Sequence, residues 1–472
     1  MKHNNHVCVI VDPFSTGKYI APALISRGYK CVHIQSSKNL PSYLTASVRR
    51  EDFIAHLVYD NNLEFILEQL SGYQIKLCLP GSESGVEVAD MLAEKLQTPS
   101  NGITLSAARR DKFLMTEAVN QKGLNTAQHF KSIKREEIIA WVQTLNNYPV
   151  VLKPIKSASG DNVFICHNLE EVEHAFGKIA QSIDLFGENN TEVLAQSYIP
   201  GDEYIINTVS YDSNHYVAEI WQVERIPQTT VYDKCTLISS DNERYEALQN
   251  YTFKVLDALQ IQYGAATTEL KFNQEGPFLI ECGSRLMGGA ELSFSNDFFG
   301  YTQLSLMLEA YFEPQRFIQR LTFKSNVEPK YGVGVLLISN AEGKLQSNID
   351  LAKELVDIKT LHCFEIDVFN HGQQLHKTVD LLTCPGTIYL MGSDKKEVLN
   401  DYQKIRQLEE KLYLNAITKP VNTASPISKS QIITHASFWS KENDDSSSQP
   451  ENTNKGTMQV RHITSNYTPP SL

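Results

Sequence analysis

A chain of 472 residues with 42% hydrophobic and 21% charged residues is long enough for two or three globular domains and too ordinary in composition for a fibrous or wholly disordered protein. Its net charge of −12 sets the molecule as a whole against a nucleic-acid backbone, yet leaves room for a local basic pocket that takes a small anion. No segment reaches about 18 consecutive apolar residues and no apolar leader precedes His6, so a cytoplasmic protein without a membrane partner is expected. The eight cysteines (Cys8, Cys31, Cys78, Cys166, Cys235, Cys282, Cys363 and Cys384) are scattered with no C-x-x-C pair, and read as reduced core residues.

In chain order, His6–Val11 is predicted as a strand, followed by a helix over 19–26 and a strand over 31–35, the opening of a doubly wound domain. Ser15-Thr16-Gly17-Lys18 lacks the first glycine of a phosphate loop and has Tyr19 where a hydroxyl should follow, which makes a phosphate loop the weaker reading. Helices over Leu63–Leu70 and 87–96 flank a strand that ends in Gly81-Ser82-Glu83-Ser84-Gly85, where open α/β sheets place ligands. Ser106 opens one continuous helix to about Lys122, with Gly123 suited to its C-cap. A helix over 136–145, a strand over 148–154, a loop of small residues, a short strand and a helix over Leu169–Ala180 follow. Lys153 beside that loop suits a phosphate, since an ammonium supplies charge and exposed N–H groups supply donors; a hairpin with a snorkelling lysine fits the same residues.

Strands over 192–197, 204–211 and 216–223, the last two a hairpin, precede a helix over 244–258. Trp221, Arg225 and Tyr232 are candidates to shape a pocket, though aromatics on strands are more often core. Residues 264–291 carry the densest chemistry. ATTELKF and PFLIEC form a hairpin that brings Glu269 near Glu281, with Thr267, Glu269 and Lys271 on one face. Ser284-Arg285-Leu286-Met287-Gly288-Gly289 then offers a guanidinium and unencumbered amides to an anion. Two carboxylates, an arginine and a diglycine suit Mg²⁺ with a phosphate, and without a cation the carboxylates would repel one another. Beyond a helix over 301–311, residues 332–414 read as a smaller α/β unit with strands over 332–339, 362–369 and 387–391 and a helix over 395–413. The polar tail from 421 lacks the apolar surface to pack and is expected to be disordered.

Taken in order, RRDKFLMTEAVNQKGLNT, YPVVLKPIKSASGDNV, VLAQSYIPGDEYIINTVS, GAATTELKF and LIECGSRLMGG resemble the motifs of ATP-grasp enzymes, more narrowly the L-amino-acid (dipeptide) ligase and carnosine-synthase-like branch, over residues 5–415. The resemblance implies an α/β and α+β architecture: a doubly wound N-terminal domain (1–103), an ATP-grasp domain (104–330) with a small lid subdomain at about 125–197, a C-terminal α/β subdomain (331–415) and the tail (421–472). It implies that Lys112 and Lys153 contact ATP phosphates beneath a loop containing Ser157, Ser159 and Gly160, that Gln196, Ser197, Tyr198 and Ile199 receive adenine, and that Glu203 binds the ribose. Glu269 and Glu281 would hold Mg²⁺ or Mn²⁺ and, with Arg285, act in catalysis; Arg285, Gly288, Gly289 and Glu83 would meet the substrates. Gly283 stands where many members carry Asn, so a third ligand to a second cation would fall to Ser284, a phosphate oxygen or water. The implied reaction is an ATP-dependent carboxylate–amine ligation of two amino acids or analogues through an acyl phosphate, releasing ADP and phosphate. The alternatives are a carboxylase-type or other small-acid ligase, and a nucleotide-binding module without turnover. The partners implied are small molecules, with no nucleic acid, no membrane, and a homodimer allowed.

Overall fold

The computed structural model describes residues 6–227, 229–322, 330–346, 348–366, 370 and 372–417. The tail over 421–472 and the end of the strand expected over 362–369 lie outside the described residues. The described residues fall into two compact units, one within 6–41, 48–224 and 237–322, the other within 42–47, 225–236 and 330–417.

The first unit opens with β1 (His6–Val11), β2 (Lys30–Gln35), β3 (Ala55–Val58) and β4 (Gln74–Pro80), a parallel sheet in the order β3-β2-β1-β4. After His6, β1 is apolar at every position because both of its faces are covered. Cys8 and Ile10 enter a core with Ile20, Leu24, Leu304, Leu308 and Phe317, while Val7, Val9 and Val11 enter a second with Ile66, Leu70, Ala89 and Leu92. The helix expected from Ser106 is broken. Ala107–Arg109 make a single 3-10 turn and the α-helix is Lys112–Asn120, because extended Asp111 turns its carboxylate back to accept from the Phe113 and Leu114 amides. That cap makes Lys112 the first residue of a helix.

A second, antiparallel sheet is built from β5 (His129–Ser132), β6 (Val150–Pro154), β7 (Phe164–Cys166) and β8 (Val193–Ser197), in the order β5-β8-β6-β7. Val150 and Leu152 bury against Ile138 and Val142 of helix Arg135–Leu145 and Val172, Phe176 and Ile179 of helix Leu169–Ala180. Alternation then puts Val151 and Lys153 on the opposite face, with Gln196 directly across from Val151.

The third sheet holds β9 (Asp202–Tyr211) and β10 (Asn214–Arg225), paired as the expected hairpin; β11 (Tyr232–Leu237) follows in the chain, and β12 (Gly264–Asn273) and β13 (Gly276–Gly283) form the next hairpin. Within the first unit the order is β13-β12-β9-β10, all antiparallel. One face is apolar: Tyr204, Ile206, Ile220, Ala266, Leu270 and Leu279 pack with Leu248, Val255 and Leu256 of helix Tyr245–Ala258. The register arrays the other face in rows, Gly283, Thr267, Asn207 and Glu219 in one, Glu281, Glu269, Ile205 and Trp221 in the next.

In the second unit β11 pairs with β14 (Tyr331–Leu336); β15 (Gly343–Lys344) stands outside this sheet, and β16 (Leu361–Ile366) lies beyond it in the chain. With β17 (Gln374–Leu375), which pairs with β15, and β18 (Gly386–Gly392), the set is complete, and the sheet runs β11-β14-β18-β16. Val333, Val335, Ile388 and Leu390 bury against Val398 and Ile405 of helix Lys395–Ala416. All eight cysteines are free thiols, buried except for Cys235, as the spacing indicated. Among the described residues no helix is long and apolar enough to cross a membrane.

Candidate active site

Glu269 and Glu281 are direct cross-strand partners on β12 and β13, which sets their Cβ atoms about 5 Å apart on one face of the sheet. The repulsion expected of such a pair is relieved in the ligand-free protein, because Lys112 Nζ lies 2.9 Å from the Glu281 carboxylate. Lys112 also donates to the Ser157 carbonyl, so the helix N-terminus is tied to the following loop. Lys153 is buried and faces the same charges. Its burial first, and the Lys112 ammonium second, pull its pKa down to about 8, against the opposing pull of Glu281 and Glu269. Two buried ammonium groups crowded against one another are a site that gains from an added anion.

The loop at 157–162 is folded on itself. Ser157 is buried and donates to Asp161 (2.8 Å), Asn162 donates to the other Asp161 oxygen (2.9 Å), and Ser159, Gly160 and Asn162 all take left-handed backbone with φ of +58°, +74° and +55°. At the end of β8, Gln196 is buried with its amide 3.5 Å from the Thr116 hydroxyl. The Ser197 backbone N–H is already committed to the Gln128 carbonyl (2.8 Å), which leaves half-buried Tyr198 and Ile199 to present backbone at this edge. Glu203 is buried and ion-paired with Lys271 at 3.0 Å.

Beyond the carboxylate pair, the loop after β4 inserts Glu83. This buried carboxylate lies 2.9 Å from Arg285 Nε and 3.0 Å from Arg110 Nη1. Burial would push its pKa up, but Arg285, Arg110 and Lys112 together overcome that and hold it below the ordinary carboxylate value. Glu83 also explains Gly283. A Cβ there would lie 2.6 Å from Glu83 Oε2 and 3.1 Å from Arg285 Cζ, so the space an asparagine would fill is taken by the carboxylate. Ser284 lines, with Arg285, Asp90, Asn101, Tyr263 and Tyr311, a cavity of about 20 Å³ whose wall includes neither Glu269 nor Glu281. Gly288 and Gly289 are exposed in the segment between Arg285 and helix Leu292–Phe299.

Sequence reasoning missed Arg110, although two adjacent arginines just before Lys112 in an acidic chain were a signal. Arg109 beside it is structural, fully buried on Asp90 at 2.8 Å. Trp221 is buried and stacked on Phe294, whereas Arg225 lies over the Tyr232 ring at 4.0 Å in the second unit. Among the described residues no group of three or more His, Cys, Asp or Glu could hold a metal. A facing pair of glutamates nonetheless fits Mg²⁺, which uses one or two carboxylates and completes its shell with substrate phosphates and water.

Residues 146–293 match the model of the ATP-grasp domain. Dapdiamide A synthase of Enterobacter agglomerans is 34% identical over 423 residues, which cover 87% of this chain and 97% of that protein. The chain belongs to the ATP-grasp family. A D-alanine–D-alanine ligase of Bacillus pumilus is 26% identical over 210 residues, 42% of this ATP-grasp chain and 52% of the relative. Among solved structures, the L-amino acid ligase from Bacillus licheniformis superposes with a TM-score of 0.65 at 18% identity, covering 86% of this chain and 98% of that one. A carboxyaminoimidazole ribonucleotide synthase from Aspergillus clavatus complexed with ATP gives 0.62 at 12% identity, covering 87% and 99%. At these identities both bear on the fold alone. This ATP-grasp protein is an ATP-dependent, ADP-forming ligase that makes an amide bond. Lys153, Glu269, Glu281 and Arg285 fall inside the matched segment, whereas Glu83, Arg110 and Lys112 precede it.

Proposed function

We propose that this ligase joins two amino acids or close analogues, activating the carboxylate of one as an acyl phosphate and passing it to the amine of the other. The observation that carries this reading is the facing Glu269–Glu281 pair set against two buried ammonium groups, Lys112 and Lys153. Lys153 and Lys112 hold the phosphates of ATP, and the 157–162 loop closes over them through Ser157, Ser159 and Gly160. Gln196, Ser197, Tyr198 and Ile199 seat the adenine, and Glu203 accepts from the ribose. Glu269 and Glu281 hold Mg²⁺ or Mn²⁺, which supplies neutralisation of the phosphate charge. Arg285 binds the substrate carboxylate with Glu83 and Arg110 behind it, and Gly288 and Gly289 offer backbone donors to the same group.

A carboxylate oxygen forms a bond to the γ-phosphorus as the bond from that phosphorus to ADP breaks. The neutral amine nitrogen then bonds to the acyl carbon and loses a proton, and the acyl oxygen–carbon bond breaks to release phosphate. No side chain becomes covalently attached, so this chain's residues work by position and charge. The substrates are soluble small molecules, met in the cytoplasm.

The test is a matrix of amino-acid pairs incubated with ATP and Mg²⁺ and read by ADP release and mass spectrometry, with bicarbonate as a separate arm. An amide product in step with ADP is expected. ADP release that depends on bicarbonate, with no amide, would sink the reading.

A further inference from the structure

The run Ser15-Thr16-Gly17-Lys18, too poor a match for a phosphate loop, reaches the site by another route. It follows β1 as a 3-10 turn over Ser15–Tyr19. The Gly289 amide donates to Ser15 Oγ at 3.1 Å, and the Ala290 amide donates to Thr16 Oγ1 at 3.2 Å. We infer that Ser15 and Thr16 are positioning residues whose hydroxyls hold the Gly288–Gly289 loop in register with Arg285, on the acyl side of the site. This inference rests on the reading of that loop as a substrate contact proposed above.

Residues 284–290 have no helix or strand of their own, so their backbone is held by side chains. The Met287 amide donates to Gln303 Oε1 at 3.0 Å, and those of Gly289 and Ala290 go to Ser15 and Thr16. Among the described residues the Gly288 N–H has no protein acceptor and the residue is exposed, so this amide is open to a ligand. Gly289 takes φ +64°, a conformation glycine adopts freely and other residues resist.

Ser15 also takes left-handed backbone, with φ +51°, where glycine would be the relaxed choice. Its side chain is exposed and packs into no core, so what serine brings to this strained position is its hydroxyl. The turn itself is held by its neighbours. Buried Asp12 accepts from the Ser36 amide (2.8 Å) and the Ser84 hydroxyl (2.6 Å), and a Cβ on Gly17 would lie 2.1 Å from the Gly81 carbonyl oxygen. Asp12 thus fixes two loops at once. Through Ser84 it steadies the turn whose Glu83 grips Arg285, and through its own turn it presents Ser15 and Thr16 to Gly289 and Ala290. Both ends of the 285–290 segment are held from the parallel sheet.

The variants are Ser15→Ala, Thr16→Val, which keeps shape and loses the hydroxyl, and Thr16→Ser, which keeps the hydroxyl. They are made in the full chain and assayed with the amino-acid pair of highest turnover in the matrix above. Ser15→Ala and Thr16→Val are expected to raise KM for the acid by roughly three- to tenfold, the scale of one neutral hydrogen bond, with KM for ATP unchanged. They should also lower the amide formed per ADP, because a loosened loop admits water to the acyl phosphate. Thr16→Ser should behave as the wild type. Hydrogen exchange of peptides covering 286–292, measured without added ligand, should quicken in the first two variants and not in the third. Unchanged exchange together with an unchanged amide-to-ADP ratio would overturn the inference. If the wild type forms no amide with any pair, the proposed function fails and exchange alone decides: faster exchange keeps the latch, unchanged exchange removes it. Ser15→Ala alters an exposed side chain, so the test survives if Thr16→Val does not fold.

Discussion

On the proposed nucleotide side of the site each charged group sits on a regular element: Lys153 on β6, Glu269 and Glu281 on β12 and β13, Lys112 in the first turn of a capped helix. On the proposed substrate side the groups come from single 3-10 turns and a loop, Glu83 after β4, Ser15 and Thr16 after β1, and Arg285 to Gly289 after β13. Strand register and a helix cap place a side chain by local rules, and that placement survives changes elsewhere. Loop groups are placed by one another. Glu83 is fixed by Arg285 and Arg110, and its carboxylate in turn forbids a side chain at position 283. The nucleotide side should therefore respond to lost charge, and the substrate side to lost shape.

Glu281→Gln tests the first half most severely. We expect amide formation to fall by about a hundredfold or more, the scale of one removed electrostatic stabiliser. The unliganded protein should also melt at a lower temperature, because Lys112 loses its 2.9 Å partner. Wild-type turnover across a range of Mg²⁺ concentrations would take the carboxylate pair out of the chemistry. Gly283→Asn tests the second half, since it forces a side chain into the space of Glu83 Oε2. Overpacking of this kind should cost roughly ten- to a hundredfold in acid-dependent turnover while leaving ATP affinity near wild type. An equal loss of ATP affinity in titration calorimetry would merge the two sides into one.

Arg285→Lys should be milder. A lysine keeps the positive charge beside Glu83 and loses the planar fork, so a loss on the order of tenfold in kcat/KM for the acid is expected, with ATP binding kept. Steady-state kinetics with acid and ATP varied in turn would separate the two.

The smallest effect is a pH dependence. Lys153 titrates at about 8 in the unliganded fold, below its ordinary 10.5, and a bound phosphate favours the charged form. ATP affinity should then be full below pH 8 and weaken above it, by at most about fivefold between pH 8 and pH 9, with proton uptake on binding above pH 8. By the same linkage the unliganded fold gains stability as pH rises from 8 towards 10.5, because there the unfolded chain holds the Lys153 proton more tightly. Calorimetry in two buffers of different ionisation enthalpy measures the uptake. An affinity flat between about pH 7 and 9.5 would show that Lys153 does not meet phosphate.

The same contrast sets what could be read from the residues. The Glu269–Glu281 hairpin and strand Lys153 were legible because period-two alternation and a polar turn fix which side chains face together. In the sequence Asp111 reads as the interior of a longer helix, since its cap depends on one side chain turning back onto two amides rather than on composition. Arg110 and the Ser15–Thr16 latch stayed hidden for another reason. Their partners are Glu83, Gly289 and Ala290, and no local pattern records a pairing between distant segments. β11 escaped because YDKCTL is short and polar at three of its positions, and its pairing with β14 comes from chain made much later. Gly283, seen as a missing ligand, proved to be a vacancy filled from the parallel sheet.

The core on one side of β1 has a consequence for synthesis. Cys8, Ile10, Ile20 and Leu24 are made first, yet they bury against Leu304, Leu308 and Phe317. At roughly 5 to 20 residues per second, the nascent N-terminal sheet waits on the order of tens of seconds for those partners. Through that interval its outer face is open to water and to other chains. Expression at lower temperature, or with a holdase present, should therefore raise the folded yield more than any change at the catalytic groups.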